Sequence, residues 1–157
     1  MLIALVLLIA DQATKLWADA ALALYRPVAL LPILNLTLSY NTGAAFSLLA
    51  DQAGWQRWLL SALAVAVSGY LGWWLSRLRS GMVWHFAGLA AILGGALGNL
   101  VDRLAYGYVI DFVDFHYGDW HYPAFNLADS AITVGVVLLI IGMLREQPVE
   151  AERGDDQ

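Results

Sequence analysis

Apolar residues run through this chain in four long stretches. The first extends from about Leu2 to Leu22. The second lies between Arg57 and Arg77 and holds no charge. The third lies between Arg79 and Asp102, uncharged apart from His85. The fourth runs from about Leu127 to Leu144, with Asp129 near its start. Each is close to the ~20 residues that a helix needs to cross a bilayer. Between the stretches the period changes. Leu34 to Asn41 alternates apolar and polar residues, which predicts a half-buried strand. Tyr108 to His116 is a second β-rich run, with Val109, Ile110, Phe112, Val113 and Phe115. Asp51 to Trp58 predicts a short interfacial helix anchored by Trp55 and Trp58. The expected fold is an all-α membrane protein with a small β element: four transmembrane helices, a small outer sheet and the interfacial helix. These form one membrane-embedded domain over residues 1–145.

Ala18-Asp19-Ala20 resembles a signal-peptide cleavage site. The stretch before it has no basic start, and Asp11 and Lys15 interrupt it, so the expectation is a retained span. Four spans put both termini on one side. Arg77 and Arg79 lie in the tight second connection, and Arg145 closes the fourth span, so both termini are expected in the cytoplasm. Asn41, Asn99, Asp102, Arg103, Asp111 and Asp129 then gather at the outer face.

Composition narrows the class. Of 157 residues, 61% are hydrophobic and 13% charged, too apolar for an ordinary soluble domain of this size. No cysteine is present, which excludes disulfides, thiol nucleophiles and thiolate metal sites. The net charge of −5 comes largely from residues 146–157, expected to be a flexible, acidic cytoplasmic tail. No basic patch favours nucleic acid. His116, Asp119 and His121 lie close together, but their spacing matches no standard zinc pattern, so this loop is expected to form an aromatic belt at the headgroup level.

Acids beside lipid are costly to keep, which makes Asp111 and Asp129 candidate site residues. Asn126 can cap the fourth helix, with Asp129 at its third position bonding back as in a capping box. That alone would explain both residues. The same placement brings Asp129 near the positive end of the helix dipole, which favours its ionised form. Asp111, on an apolar strand, would more readily hold a proton. Two carboxylates in unequal surroundings suit acid/base hydrolysis. Gly94 and Gly98 form a small-residue face for close helix approach. Asn99 and Arg103, four apart, share a helix face, with Asp102 beside them. Asp11 and Lys15 are also four apart; a buried pair of this kind is more often architectural than catalytic. On the residues alone, three classes stay open: a membrane enzyme, a small carrier and a non-catalytic assembly subunit. A carrier would more naturally show internal repeats and polar groups at midplane, and no convincing repeat is found.

Five blocks occur in order: Asp11-Gln12-Ala13-Thr14-Lys15; Asn41-Thr42-Gly43-Ala44-Ala45-Phe46-Ser47; Gly94 to Arg103; Val109-Ile110-Asp111-Phe112; and Phe125-Asn126-Leu127-Ala128-Asp129. With these blocks the chain resembles bacterial lipoprotein signal peptidases (signal peptidase II) over nearly its whole length. The resemblance implies an aspartic endopeptidase of the bacterial inner membrane, with Asp111 and Asp129 as a catalytic dyad that activates water. Asn41, Asn99, Arg103 and Asn126 would bind substrate or hold the dyad, and no metal or cofactor would be needed. The implied substrate is a membrane-anchored diacylglyceryl prolipoprotein, cut before its lipidated cysteine. Asp11, Lys15 and Asp102 are expected to be structural polar partners, the enzyme to be a monomer, and membrane lipid to be its other partner.

Overall fold

A computed structural model describes residues 1–43 and 54–145. The elements run α1 (Leu2–Ala21), β1 (Val28–Leu31), β2 (Leu34–Asn41), α2 (Trp55–Arg77), α3 (Val83–Ala105), β3 (Val109–Tyr117), β4 (Trp120–His121) and α4 (Leu127–Arg145). The strands form one antiparallel sheet in the order β1-β2-β3-β4. They occupy the α1–α2 and α3–α4 connections, so an up-and-down bundle carries them all at one end.

Among the described residues, three helices are long and apolar enough to cross a membrane: α2, α3 and α4. α1 has the length of a span, 20 residues, but carries Asp11, Lys15 and Asp19. Large apolar side chains such as Leu5, Ile9, Leu59, Leu63, Val137 and Ile140 stay exposed on α1, α2 and α4. A soluble domain rarely leaves so much apolar surface bare; a bilayer would cover it.

Two sequence expectations change in detail. Trp55–Trp58 is the first turn of α2 and not part of a separate interfacial helix, because no proline or glycine separates it from the apolar run that follows. Residues 51–53 lie outside the described residues, as do 44–47 of the second block and the acidic tail. The last turn of α3 also continues past Asp102 to Ala105. The strand β1 escaped the sequence reading because all four of its residues are exposed, which leaves no alternation to see.

α3 is the central helix and packs against α1, α2 and α4. Its glycines make this possible. A Cβ on Gly88 would lie 2.7 Å from the Gly135 carbonyl oxygen, and one on Gly98 would collide with the Asp11 carboxylate. The small-residue stripe is thus split between partners: Gly94 and Gly98 meet α1, whereas Gly95 meets Ala128 of α4. Below this level, Ala4, Leu71, Leu75, Leu89, Ala90 and Leu93 form the apolar core.

The Gly98 contact admits a polar knot. The Lys15 side chain is 1% exposed, and its ammonium meets Asp11 Oδ2 at 2.8 Å, Asp102 Oδ2 at 2.9 Å and Asn99 Oδ1 at 2.8 Å. Three acceptors match its three donors. Two carboxylates against one ammonium leave one negative charge over, and neutral donors solvate it. Gln12 Nε2 donates to Asp102 Oδ1 at 2.9 Å, the Ile110 amide to Asp102 Oδ2 at 3.1 Å and the Ala128 amide to Asp11 Oδ1 at 2.9 Å. The knot therefore joins α1 to α3, to the start of β3 and to the first turn of α4.

Removing the cation would strand two buried carboxylates. Lys15→Met is expected to lower stability by about 3–5 kcal/mol, measurable as a drop in the unfolding midpoint of detergent-solubilised protein. Gly98→Val is expected to cost about 1–3 kcal/mol or more through overpacking; an unchanged midpoint would show that α1 does not approach α3 this closely.

Candidate active site

β3 brings Asp111 into the site. Its first four residues are all buried, so this part of the strand is covered on both faces, and Asp111 itself is 2% exposed. The strand partner of Asp111 is Ser39, and that of Asn41 is Val109. Asn41 and Asp111 are thus diagonal neighbours on one face of the sheet. Asn41 Nδ2 donates to Asp111 Oδ2 at 3.1 Å, while Asn41 Oδ1 accepts from the Gly43 amide at 3.0 Å.

The start of α4 supplies the second carboxylate. The Asp129 amide donates to Asn126 Oδ1 at 3.0 Å, and the Asn126 amide donates to Asp129 Oδ2 at 3.2 Å. This is the reciprocal capping box that the sequence predicted. It leaves the rest of both side chains free for other partners. Asn126, fully buried, points Nδ2 at Asp111 Oδ1 at 2.7 Å, with Asn99 Oδ1 and the Ile110 carbonyl each at 3.2 Å. Asp129 Oδ1 accepts from Asn99 Nδ2 at 2.8 Å. Capping and site assembly therefore use the same two residues. A backbone bridge fixes this segment beside β3: Val113 and Phe125 exchange hydrogen bonds of 2.9 and 3.0 Å.

Asn99 links the site to the knot. Its Oδ1 accepts from Lys15 and its Nδ2 donates to Asp129. The cation thus orients the amide that holds the half-buried carboxylate. Arg103, one turn further on, bonds Nη1 to the Asn99 carbonyl at 3.4 Å, and its buried Nε has no hydrogen-bond partner among the described residues.

Both carboxylates, with Asn41, Asn99 and Arg103, line one cavity of about 450 Å³. The size suits a small-molecule or peptide side-chain site. The two acids differ in surroundings. Burial, reinforced by the charge of Asp129, pushes the Asp111 carboxyl up to about 7, against the opposing hydrogen bonds from Asn41 and Asn126 and the Lys15 charge. Asp129 is half-buried at the cavity wall. A buried acid that keeps a proton near neutrality, beside a more accessible carboxylate, is a competent acid/base pair.

All nine candidate residues of the sequence reading meet in this assembly, Asp11, Lys15 and Asp102 as its support. Some contributors were missed. Gln12 had a place in a block but no role, and it bridges to Asp102 and the Gly98 carbonyl. Tyr25 lines the cavity with a left-handed φ of 55°, which no pattern of residues announces. Tyr40, also on the cavity wall, donates to Asp19 Oδ1 at 2.6 Å, which helps push its phenol up to about 12. The His116–Tyr122 segment, expected as a loop, is the tip of a β3–β4 hairpin in which His116 pairs with His121; His121 Nδ1 also pairs with Asp114 Oδ1 at 2.8 Å, and its ring stacks on His116.

The family model for signal peptidase (SPase) II matches residues 3–145. The lipoprotein signal peptidase of Pseudomonas putida is 51% identical over 150 residues, which covers 94% of this chain and 88% of that protein. The lipoprotein signal peptidase of Coxiella burnetii is 53% identical over 134 residues, 85% of this chain and 82% of that protein. A solved bacterial membrane enzyme superposes with a TM-score of 0.83 at 28% identity, covering 99% of this chain and 93% of its own. The shared fold, the near-complete coverage and the matched family model agree: this chain belongs to the signal peptidase II family.

Proposed function

We propose that the chain is an aspartic endopeptidase of the bacterial cytoplasmic membrane that removes the signal peptide from diacylglyceryl prolipoproteins, cutting before the lipidated cysteine. The observation that carries this reading is the joint position of Asp111 and Asp129 on one cavity wall, tied together through Asn126. The relatives' name, lipoprotein signal peptidase, supplies the substrate class.

In this mechanism Asp129, the more accessible carboxylate, takes a proton from a water. The water oxygen attacks the scissile carbonyl carbon. Asp111, protonated, donates to the carbonyl oxygen as negative charge develops there. Collapse of the tetrahedral intermediate breaks the C–N bond: the proton held by Asp129 passes to the leaving cysteine amine, and the re-forming carbonyl returns a proton to Asp111, which restores the starting pair. The active form carries one proton across the two carboxyl groups, held at rest by Asp111. Arg103, whose guanidinium side chain lines the cavity, holds a substrate carbonyl and so orients the peptide.

α1 acts as the fourth span, its Asp11 and Lys15 neutralised within the bundle and not exposed to lipid. Four spans put both termini on one side, Arg77, Arg79 and Arg145 favour the cytoplasm for that side, the sheet and cavity are then on the outer side, and the enzyme works as a monomer. The outer position suits the task. A diacylglyceryl anchor leaves the bilayer only at about 0.8 kcal/mol per methylene, so the site must lie at the lipid surface.

Asp111→Asn and Asp129→Asn are each expected to lower cleavage of a purified lipidated precursor at least ~10²-fold, the contribution of one general acid or base, while a cooperative unfolding transition is retained. Substantial turnover by either folded variant would refute the dyad. The pH dependence separates the two acids further. Asp111 binds its proton more tightly in the folded than in the unfolded chain, so that stabilisation is present at low pH and is lost as pH rises through about 7. Relative to wild type, Asp111→Asn should therefore gain stability between pH 5 and 8 by about 2–3 kcal/mol. Parallel unfolding midpoints across that range would argue against a buried, proton-holding Asp111.

A further inference from the structure

The strand β4 holds only Trp120 and His121, yet the chain that leaves it, Tyr122 to Phe125, forms one wall of the cavity that holds the two acids. We propose that Asp114 and His121 are positioning residues for the proposed reaction: their pair, on the sheet face turned away from the cavity, clasps β4 to the sheet and so sets the wall on which the substrate peptide lies. The proposal rests on the function given above.

Asp111 and Asp114 are three apart on β3, so they project from opposite faces of the strand. Asp114 is only 6% exposed although it belongs to the sheet and not to the helix bundle. It accepts from donors on two other strands: His121 Nδ1 of β4 at 2.8 Å, Thr37 Oγ1 of β2 at 3.0 Å and Asn35 Nδ2 of β2 at 3.4 Å. One carboxylate thus ties β2, β3 and β4 together. Burial alone would push the Asp114 carboxyl up, but the hydrogen bonds from His121, Thr37 and Asn35 hold it below the usual carboxylate range. An ionised carboxylate only accepts, so His121 carries a hydrogen on Nδ1. The His121 ring also stacks on His116, with centroids 5.2 Å apart, which limits its rotation.

A strand this short needs such help, because it forms few ladder bonds of its own. The wall that follows is tied at both ends. Beside the clasp, the Tyr122 amide donates to the Phe115 carbonyl at 2.8 Å. At the far end, Phe125 exchanges hydrogen bonds with Val113, and its carbonyl also accepts from the Phe112 amide at 3.1 Å. Pro123, between them, has no N–H to add. The far tie stands between the clasp and Asn126, which holds Asp111 and caps α4. Loosening the clasp therefore frees the wall at Tyr122 and Pro123 and leaves the two acids where they are. The expected signature is weaker substrate binding with the chemical step intact, which removal of an acid does not produce.

The test measures kcat and KM of the purified full chain on one synthetic lipidated precursor in one detergent. His121→Phe keeps a flat ring against His116 and loses the Nδ1 donor. It is expected to raise KM roughly five- to tenfold, with kcat within about twofold of wild type. His121→Asn, whose Nδ2 stands near the place of Nδ1, should restore most of the wild-type KM. In a double-mutant cycle, His121→Phe and Asp114→Ala should combine to less than the product of their separate effects on KM, because either one breaks the pair. If Asp114→Ala does not fold, the two His121 variants carry the test. An unchanged KM in His121→Phe overturns the clasp, even if the unfolding midpoint drops, and so does a loss of kcat at unchanged KM. Wild type that fails to cleave the precursor overturns the proposed function; wild type that cleaves it, with His121→Phe at the same KM, overturns the clasp alone.

Discussion

The structure depends on one buried cation. Lys15 sits where α1 crosses α3, and its three bonds to Asp11, Asp102 and Asn99 hold the elements that carry the candidate site. Desolvating these ions costs several kcal/mol each, and the geometry offsets this only because each carboxylate also receives neutral donors. Those donors are not incidental. The Ala128 amide belongs to the first turn of α4, and the Ile110 amide directly precedes Asp111. Charge compensation in the bundle therefore sets where both candidate acids stand.

Asn126 shows the same economy at the next level. Its carbonyl oxygen caps α4, its backbone amide holds Asp129 and its side-chain amide holds Asp111. Capping and catalysis had looked like competing explanations for Asn126 and Asp129. The geometry makes them compatible, because the cap uses one oxygen of Asp129 and leaves the other facing Asn99. A helix cap is stiff, so the acid attached to it is held in place before any substrate arrives, which is what preorganised acid/base chemistry needs.

Much of this was legible from local pattern. Span lengths, the period-two run of β2 and the capping spacing at 126–129 each lie within one element, and each appears in the structure near its expected bounds. The pairing of Asp11 with Lys15 was also local, four residues apart on one helix. The separate interfacial helix did not appear within the described residues, because aromatic anchors at a helix end look the same whether the helix stops or runs on. β1 left no signal, since a strand exposed on both faces has no alternation.

What the sequence determined by itself was the four long helices, the strands β2 and β3, and the residues of the candidate site: two acids, three asparagines and an arginine. Tertiary structure decided how they connect. That Lys15 answers Asp102 as well as Asp11, and that Asn99 passes this contact to Asp129, follow from where α1, α3 and α4 cross. Periodicity is a property of a single helix or strand. Distances between side chains on different elements depend on close approach at Gly98 and Gly95, and the sequence marks those glycines without saying which helix each one meets.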